Sequence, residues 1–172
     1  PGATSGALVA AMKLGANPIQ LSWIQLNPYT NPTERGFGTS ALFTNHCAND
    51  YGLSIKPKTG KRFMNEHAGR KVKSDAIFAC MAQSDKNDNY PVNICDQAAV
   101  DANNIAYTKK GVEEGSIKKF NTLEELAKAY NIPLEPFLET IKNFNEYVKN
   151  EKDPEFGKPL TKADVNGIGI TK

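Results

Sequence analysis

The chain has 172 residues, 21 of them basic and 19 acidic, for a formal net charge of +2. That length supports one domain with a real core, and the near-balanced charge, without a basic or aromatic-interleaved stripe, argues against a nucleic-acid surface. No apolar run approaches the roughly 18–20 residues needed to cross a bilayer.

The three cysteines, Cys47, Cys80 and Cys95, are odd in number and far apart, which is neither a disulfide framework nor metal-ligand spacing. Cys80 and Cys95 lie among apolar residues and read as buried thiols. Pro1-Gly2-Ala3 lacks the charged and apolar regions of a signal peptide. A chain already in a helical pattern by Leu8 reads as cut from something longer.

Thr4-Ser5 can cap a helix from about Gly6 to Leu14, with Gly15 as its stop. Leu21-Ser22-Trp23-Ile24-Gln25-Leu26-Asn27 alternates and is rich in β-formers, so it reads as a strand stopped by Pro28. Tyr29 to Ser40 is a Pro/Thr/Asn/Gly loop with Glu34-Arg35-Gly36 inside it. Ala41-Leu42-Phe43-Thr44-Asn45-His46-Cys47-Ala48-Asn49 follows. Ser54-Ile55-Lys56 and Arg62-Phe63-Met64 read as a short hairpin about the turn Pro57-Lys58-Thr59-Gly60. Beyond Met64 the chain turns polar through Asn65-Glu66-His67-Ala68-Gly69 and reaches Arg70, placing charge on a loop carried by a rigid hairpin.

Ser74 to Gln83 holds a helical apolar run, Ala76-Ile77-Phe78-Ala79-Cys80-Met81-Ala82. Ser84 to Asn89 is a polar turn, whose Asp85 and Asp88 are too sparse for a calcium loop. Tyr90 to Asp96 reads as a strand. Thr122-Leu123-Glu124-Glu125 is a capping box, and Leu123, Leu126, Ala127 and Tyr130 give one apolar face. Leu134, Phe137, Leu138, Ile141, Phe144 and Val148 mark a second helix to about residue 149, with Pro136 in its first turn. The fold class expected is α+β: a small twisted sheet from the segments near 21–27, 53–64 and 90–95, with helices packed on it.

Several of these stretches carry a resemblance. Gly15-Ala16, Ile24-Gln25-Leu26-Asn27-Pro28, Gly60-Lys61-Arg62-Phe63-Met64-Asn65-Glu66 followed by Arg70, Thr122-Leu123-Glu124-Glu125-Leu126-Ala127 and Asp153-Pro154-Glu155-Phe156-Gly157 occur in order. Together they resemble the flavocytochrome c-type fumarate reductases and their urocanate reductase relatives, of the succinate dehydrogenase/fumarate reductase flavoprotein superfamily. The resemblance runs from Thr4 to about Pro159. It implies that residues 1–20 are a fragment of an FAD-binding domain, 21–160 a capping, substrate-binding domain, and 161–172 a linker back to the FAD-binding domain.

The resemblance also implies roles. Arg70 matches the family's active-site acid, which protonates the substrate carbon. Thr4, Ser5 and Gly6 fall where the family has its T-G-D-G loop near the flavin, with Gly6 in place of the Asp. Asn27 stands where the family has a His that holds a substrate carboxylate. Asn45, His46 and Asn49 fall on its T-E-x-x-R, whose Thr and Glu contact substrate and whose Glu and Arg relay protons to the acid. Asn49 has no proton to relay; His46, with an unperturbed pKa of about 6.5, can relay one. Catalysis is therefore assigned to Arg70 and His46, substrate binding to Asn27, Asn45 and His46, and no residue to a metal.

The implied enzyme is an FAD-dependent reductase of C=C bonds in α,β-unsaturated carboxylates, with an electron-donor domain or protein as a further partner. The departures at Asn27, His46 and Asn49 point away from a dicarboxylate and toward a monocarboxylate or aryl-substituted substrate. No G-x-G-x-x-G follows a strand, and no His or Cys is placed for haem or iron–sulfur ligation, so these residues alone are expected to bind FAD weakly and to lack activity. A dehydrogenase of the same superfamily and a non-catalytic ligand- or partner-binding module are the competing readings.

Overall fold

The hairpin forms where the Pro-Lys-Thr-Gly turn directs it. In the computed structural model, which describes residues 4–31, 34, 38–84, 89–102 and 105–160, β1 (Leu53–Lys56) and β2 (Lys61–Arg62) pair antiparallel with Ile55 opposite Arg62. Gly60 closes the turn at φ +67°, a left-handed conformation that a side chain would strain. A Cβ there would also meet the Phe137 amide nitrogen at 2.8 Å. β3 (Val92–Ile94) adds to the other edge of β1, antiparallel, giving the order β2-β1-β3.

Alternation along β1 decides what each face does. Leu53 and Ile55 are wholly buried on one face, while Ser54 turns to the other and donates from Oγ to Asn93 Oδ1 at 2.5 Å. Against the apolar face pack α7 (Leu123–Ala129) and α8 (Leu134–Lys149). The α8 stripe buries Phe137, Ile141, Phe144 and Val148, the periodicity of a helix with one face inward. Each such side chain contributes about 1.5–3 kcal/mol when fully buried. Thr122 caps α7, its Oγ1 accepting from Glu125 N at 3.2 Å. The returning Glu125 carboxylate accepts from Asn121 N at 3.0 Å, one residue before the usual partner in a capping box.

The opposite side is built by α4 (Arg70–Met81) and a continuous helical stretch. That stretch comprises α2 (Thr39–Phe43), a wide π turn (Thr44–Ala48) and α3 (Asn49–Tyr51). Tyr29, Ala41 and Met64 form a second small core there, with Phe63, Ala76 and Ile77 against it. The sequence also folds into α1 (Gly6–Lys13), α5 (Gln97–Ala102) and α6 (Ile105–Glu113), the last two without a clear pattern in the sequence.

The structure corrects four expectations. Residues 21–27 join no sheet; all seven are exposed, and the sheet is completed without them. Their alternation sets Trp23 and Ile24 into solvent at 77% and 82% exposure, so it marks an apolar surface rather than a ladder. Ser5 does not cap α1: it sits at the N-cap with φ 58°, whereas a capping hydroxyl starts from an extended backbone. The helix expected from Ser74 begins at Arg70, so Arg70 stands on a helix rather than on a loop. Cys95 is half-buried, while Cys80 is fully buried with its thiol pushed up by burial. Asp85 and Asp88 lie outside the described residues, as do residues 161–172.

Candidate active site

Four ionised side chains lock the hairpin to the C-terminal part of the fold. Arg62 is buried, and its Nε and Nη2 donate to the two Glu66 oxygens at 3.2 and 2.8 Å. Nη2 also donates to Asp153 Oδ2 at 2.9 Å. The same guanidinium lies 5.0 Å from the Phe144 ring and 5.1 Å from Phe156. Burial alone would lower the Arg62 pKa, but the hydrogen bonds and charge of Glu66 and Asp153 raise it. Burial would likewise raise Asp153, and Arg62 with the backbone amides of Lys158 and Phe156 holds it below the usual carboxylate range. Lys158 Nζ donates to Gly52 O at 2.5 Å and lies 3.9 Å from Glu66; burial pushes its pKa down to about 8.

This network fixes the chain just before the candidate acid. Glu66 is wholly buried and also accepts from Ser54 N at 3.0 Å, so residue 66 is pinned to β1. Four residues later α4 begins. Arg70 is its first residue and is exposed, with Nη1 donating to Gln25 Oε1 at 2.6 Å. A helix start held by a buried ion cluster gives this guanidinium a rigid base, and its partner is a neutral amide rather than a carboxylate.

One turn further along α4, Lys73 is 6% exposed. Its Nζ donates to Asn49 Oδ1 at 3.2 Å and lies 4.9 Å from the Tyr29 ring. Tyr29 Oη donates to the same Asn49 oxygen at 2.9 Å. Burial raises the Tyr29 pKa, as do the charges of Glu66 and Asp50. Burial lowers that of Lys73; Asp50 and Glu66 oppose the shift and Arg70 adds to it. Among the described residues no carboxylate lies within salt-bridge distance of Lys73. Asp50 itself faces His67, Nε2 to Oδ1 at 3.1 Å, at the half-exposed rim.

The other candidates are distributed around this centre. Asn27 is exposed and its Oδ1 accepts from Tyr29 N at 3.4 Å, a local turn contact. It lines a groove of about 920 Å³ together with Tyr29, Thr44, Ser74, Tyr90 and Val92. Asn45 is half-buried in the π turn. His46 lies in the same turn, and its side chain falls outside the described residues. Arg70 and Asn27 come close in sequence terms through Gln25, two residues before Asn27, but no contact joins them directly. Lys73, Tyr29 and Gln25 were missed from sequence. A signal existed for Lys73: it shares a helical stripe with Ala76, Ile77 and Cys80, an unusual place for a lysine.

Thr4, Ser5 and Gly6, the candidate flavin contacts, are all exposed at the start of α1. Among the described residues no side chain caps that helix, so its first amides and the two hydroxyls can donate to an acceptor oxygen. Their chemistry fits a polar contact to a flavin. It does not fit a close phosphate cradle, since a Cβ on Gly6 would meet only Thr4 Oγ1 at 3.8 Å. Among the described residues no cluster of His, Cys, Asp or Glu could hold a metal, and no helix is long and apolar enough to cross a membrane.

The chain is similar to several known oxidoreductases. The chain is 36% identical over 163 residues to an acrylate reductase flavoprotein subunit of Shewanella woodyi, covering 95% of this chain and 31% of that one. It is 30% identical over 150 residues to an NADH:acrylate oxidoreductase of Vibrio harveyi, covering 85% of this chain and 14% of that one. The open conformation of a flavocytochrome c3 fumarate reductase shares the fold, with a TM-score of 0.64 at 22% identity over 99% of this chain and 27% of that one. The chain thus spans under a third of the length of these relatives. A family described as the FAD binding domain matches residues 2–166, and the chain belongs to that family, with FAD the cofactor of the full-length protein.

Proposed function

We propose that this chain is the substrate-covering part of an FAD-dependent reductase that saturates the C=C bond of an α,β-unsaturated carboxylate. Residues 21–160 form the cap, residues 1–20 belong with the flavin-binding domain, and 161–172 lead back to it. The exposure of Leu8, Val9 and Met12 on α1, a helix without a buried residue, supports assigning that segment to another domain's core.

The observation that carries the reading is the placement of Arg70. A rigid helix start presents a guanidinium whose partner among the described residues is a neutral amide oxygen. Such a group can bind a carboxylate bidentately and donate a proton. Arginine is a poor acid in water, with a pKa above about 12. Against a carbanion in a water-excluded cleft it becomes competent, because the base generated by the reaction is strong and neighbouring cations favour proton release. A flavin held by the full-length protein would supply the hydride. Asn27 and Asn45 offer neutral hydrogen bonds to the substrate, and proton exchange falls to His46 by the resemblance. Two neutral asparagines suit one carboxylate better than two, and the similarity to enzymes named for acrylate, a monocarboxylate, supports that choice.

The test is acrylate-dependent reoxidation of the reduced flavin in the full-length protein carrying Arg70→Ala. A fall of about a hundredfold or more is expected for loss of a general acid. Near-normal turnover rejects Arg70 as donor. By the same reading, the 172-residue chain alone binds FAD weakly and is inactive; a flavin-loaded preparation of it would contradict this.

A further inference from the structure

We propose that the groove along α4 holds the ring of a β-aryl enoate that carries an oxygen on the ring, so that Ser74, Ile77 and Phe78 decide which substrate is reduced. This rests on the reductase reading of the site and extends it from the carboxylate to the substituent. The groove encloses about 920 Å³. Pockets of about 300–1,000 Å³ hold drug-sized ligands. Acrylate, among the smallest of enoates, would fill a small part of such a space.

The groove starts beside the candidate acid and runs away from it. Ser74 lies four residues after Arg70, on the same face of α4. Leu26 and Asn27 also line the groove, and they follow directly on Gln25, whose Oε1 accepts from Arg70 Nη1 at 2.6 Å. From Ser74 the wall continues through Ile77 and Phe78, one further turn of the helix. Tyr90, just before β3, and Val112 of α6 line it as well. Phe78, Tyr90 and Val112 are all exposed. Large apolar side chains left open to water around one concavity mark a surface for an apolar ligand, and the two aromatic ones suit a flat ring. The polar signal is Ser74. Its side chain is buried, and its Oγ finds no hydrogen-bond partner among the described residues. That is a costly state for a hydroxyl, since it has lost water and gained nothing. A turn about its Cα–Cβ bond brings the hydroxyl to a ligand oxygen in the groove. The carboxylate and double bond then lie at the Asn27 and Arg70 end, the ring lies against Ile77 and Phe78, and Ser74 Oγ donates to the ring oxygen.

The experiment uses full-length, FAD-loaded protein and follows reoxidation of the reduced flavin by acrylate, cinnamate and the monohydroxycinnamates. In the wild type, kcat/KM for cinnamate should exceed that for acrylate about tenfold or more, because the ring leaves water. One of the hydroxycinnamates should exceed cinnamate about fivefold or more. Ser74→Ala should erase that last advantage. Phe78→Ala should lower the ratio of cinnamate to acrylate about tenfold, and Ile77→Trp, which fills the groove, should lower it about a hundredfold. Phe78 is exposed, so its variant decides the matter if Ile77→Trp folds poorly. Isothermal titration of the oxidised protein with the best hydroxycinnamate reads the groove without turnover, and Phe78→Ala should raise its Kd about tenfold. A wild type that prefers acrylate, or a cinnamate ratio and Kd that Phe78→Ala leaves alone, overturns the groove assignment. Equal kcat/KM for cinnamate and every hydroxycinnamate overturns the role given to Ser74. If no enoate is reduced, yet a hydroxycinnamate binds and Phe78→Ala weakens it, the reductase reading fails and the groove stands, so the two failures are told apart.

Discussion

Replacing Arg62 by methionine tests whether the buried ion cluster holds the site's foundation. Methionine keeps much of the stem volume, so little cavity is created. The variant loses three charge-assisted hydrogen bonds, at 3.2, 2.8 and 2.9 Å, and two aromatic contacts. At about 1.5–3 kcal/mol per bond to a charged group, the gross loss is about 5–9 kcal/mol. Removing a buried guanidinium returns several kcal/mol of desolvation, so the net cost expected is about 3–5 kcal/mol. The assay is urea unfolding followed by far-UV circular dichroism at pH 7 and again near pH 4.

The pH arm fixes the mechanism. In the wild type, Asp153 sits below its unfolded pKa; its contribution is present above that unfolded value and fades as pH falls through the folded one. Without Arg62 the buried carboxylates lose their main partner, and the folded state favours their protonated forms. That variant is therefore penalised least at low pH and most at neutral pH. The gap between the two proteins should shrink on acidification. A cost below about 1 kcal/mol at pH 7, or one that does not change with pH, refutes the argument that charge satisfaction at Arg62 carries this joint.

Other outcomes follow from single features. Gly52→Ala would put a Cβ 1.9 Å from the Ile94 carbonyl oxygen, which lies in backbone and cannot swing away; a loss of about 3 kcal/mol or more in urea unfolding is expected, and a neutral result denies the close approach of β3. Lys158, pushed down to about 8 from an ordinary 10.5, pays its burial cost in full below pH 8 and sheds it as pH rises toward the unfolded value. Stability should therefore climb by a few kcal/mol between about pH 8 and 10.5, and Lys158→Met should flatten that rise in the same titration. Gln25→Glu should give Arg70 an ionic partner that competes with substrate; KM for acrylate should increase about tenfold in steady-state assays, and an unchanged KM separates Arg70 from carboxylate binding.

What could be read from the residues was whatever depends on near neighbours. The α8 stripe from Phe137 to Val148 and the turn at Gly60 are local patterns, and both appear as expected. The segment from Leu21 to Asn27 misled because alternation records which residues are apolar, not what covers them. Its side chains face outward, and the hydrogen-bonding edge of β1 was taken by β3 instead. α5 and α6 escaped notice because residues 97–113 mix Lys109, Lys110 and Gly111 into a weakly patterned run. The Arg62 cluster was hidden for another reason: Arg62 and Asp153 meet across 91 positions, and nothing local to either announces the other. Lys73 shows the intermediate case, where the stripe was visible but its meaning required seeing Asn49 and Tyr29 close over the amine.

The wide turn at Thr44–Ala48 works as a phase change in an otherwise regular screw. A turn of this kind holds one residue more than an α-helical turn, so it swings everything after it by about 100° relative to an uninterrupted helix. Before the turn, α2 answers to its packing on α6; after it, Asn49 answers to Tyr29 and Lys73. One straight helix could not satisfy both obligations at this length. Removing Cys47, a residue of that turn with no assigned role, would rotate the amide of Asn49 away from the amine it holds, so the chemistry of the pocket is open to change from a position outside its assigned residues.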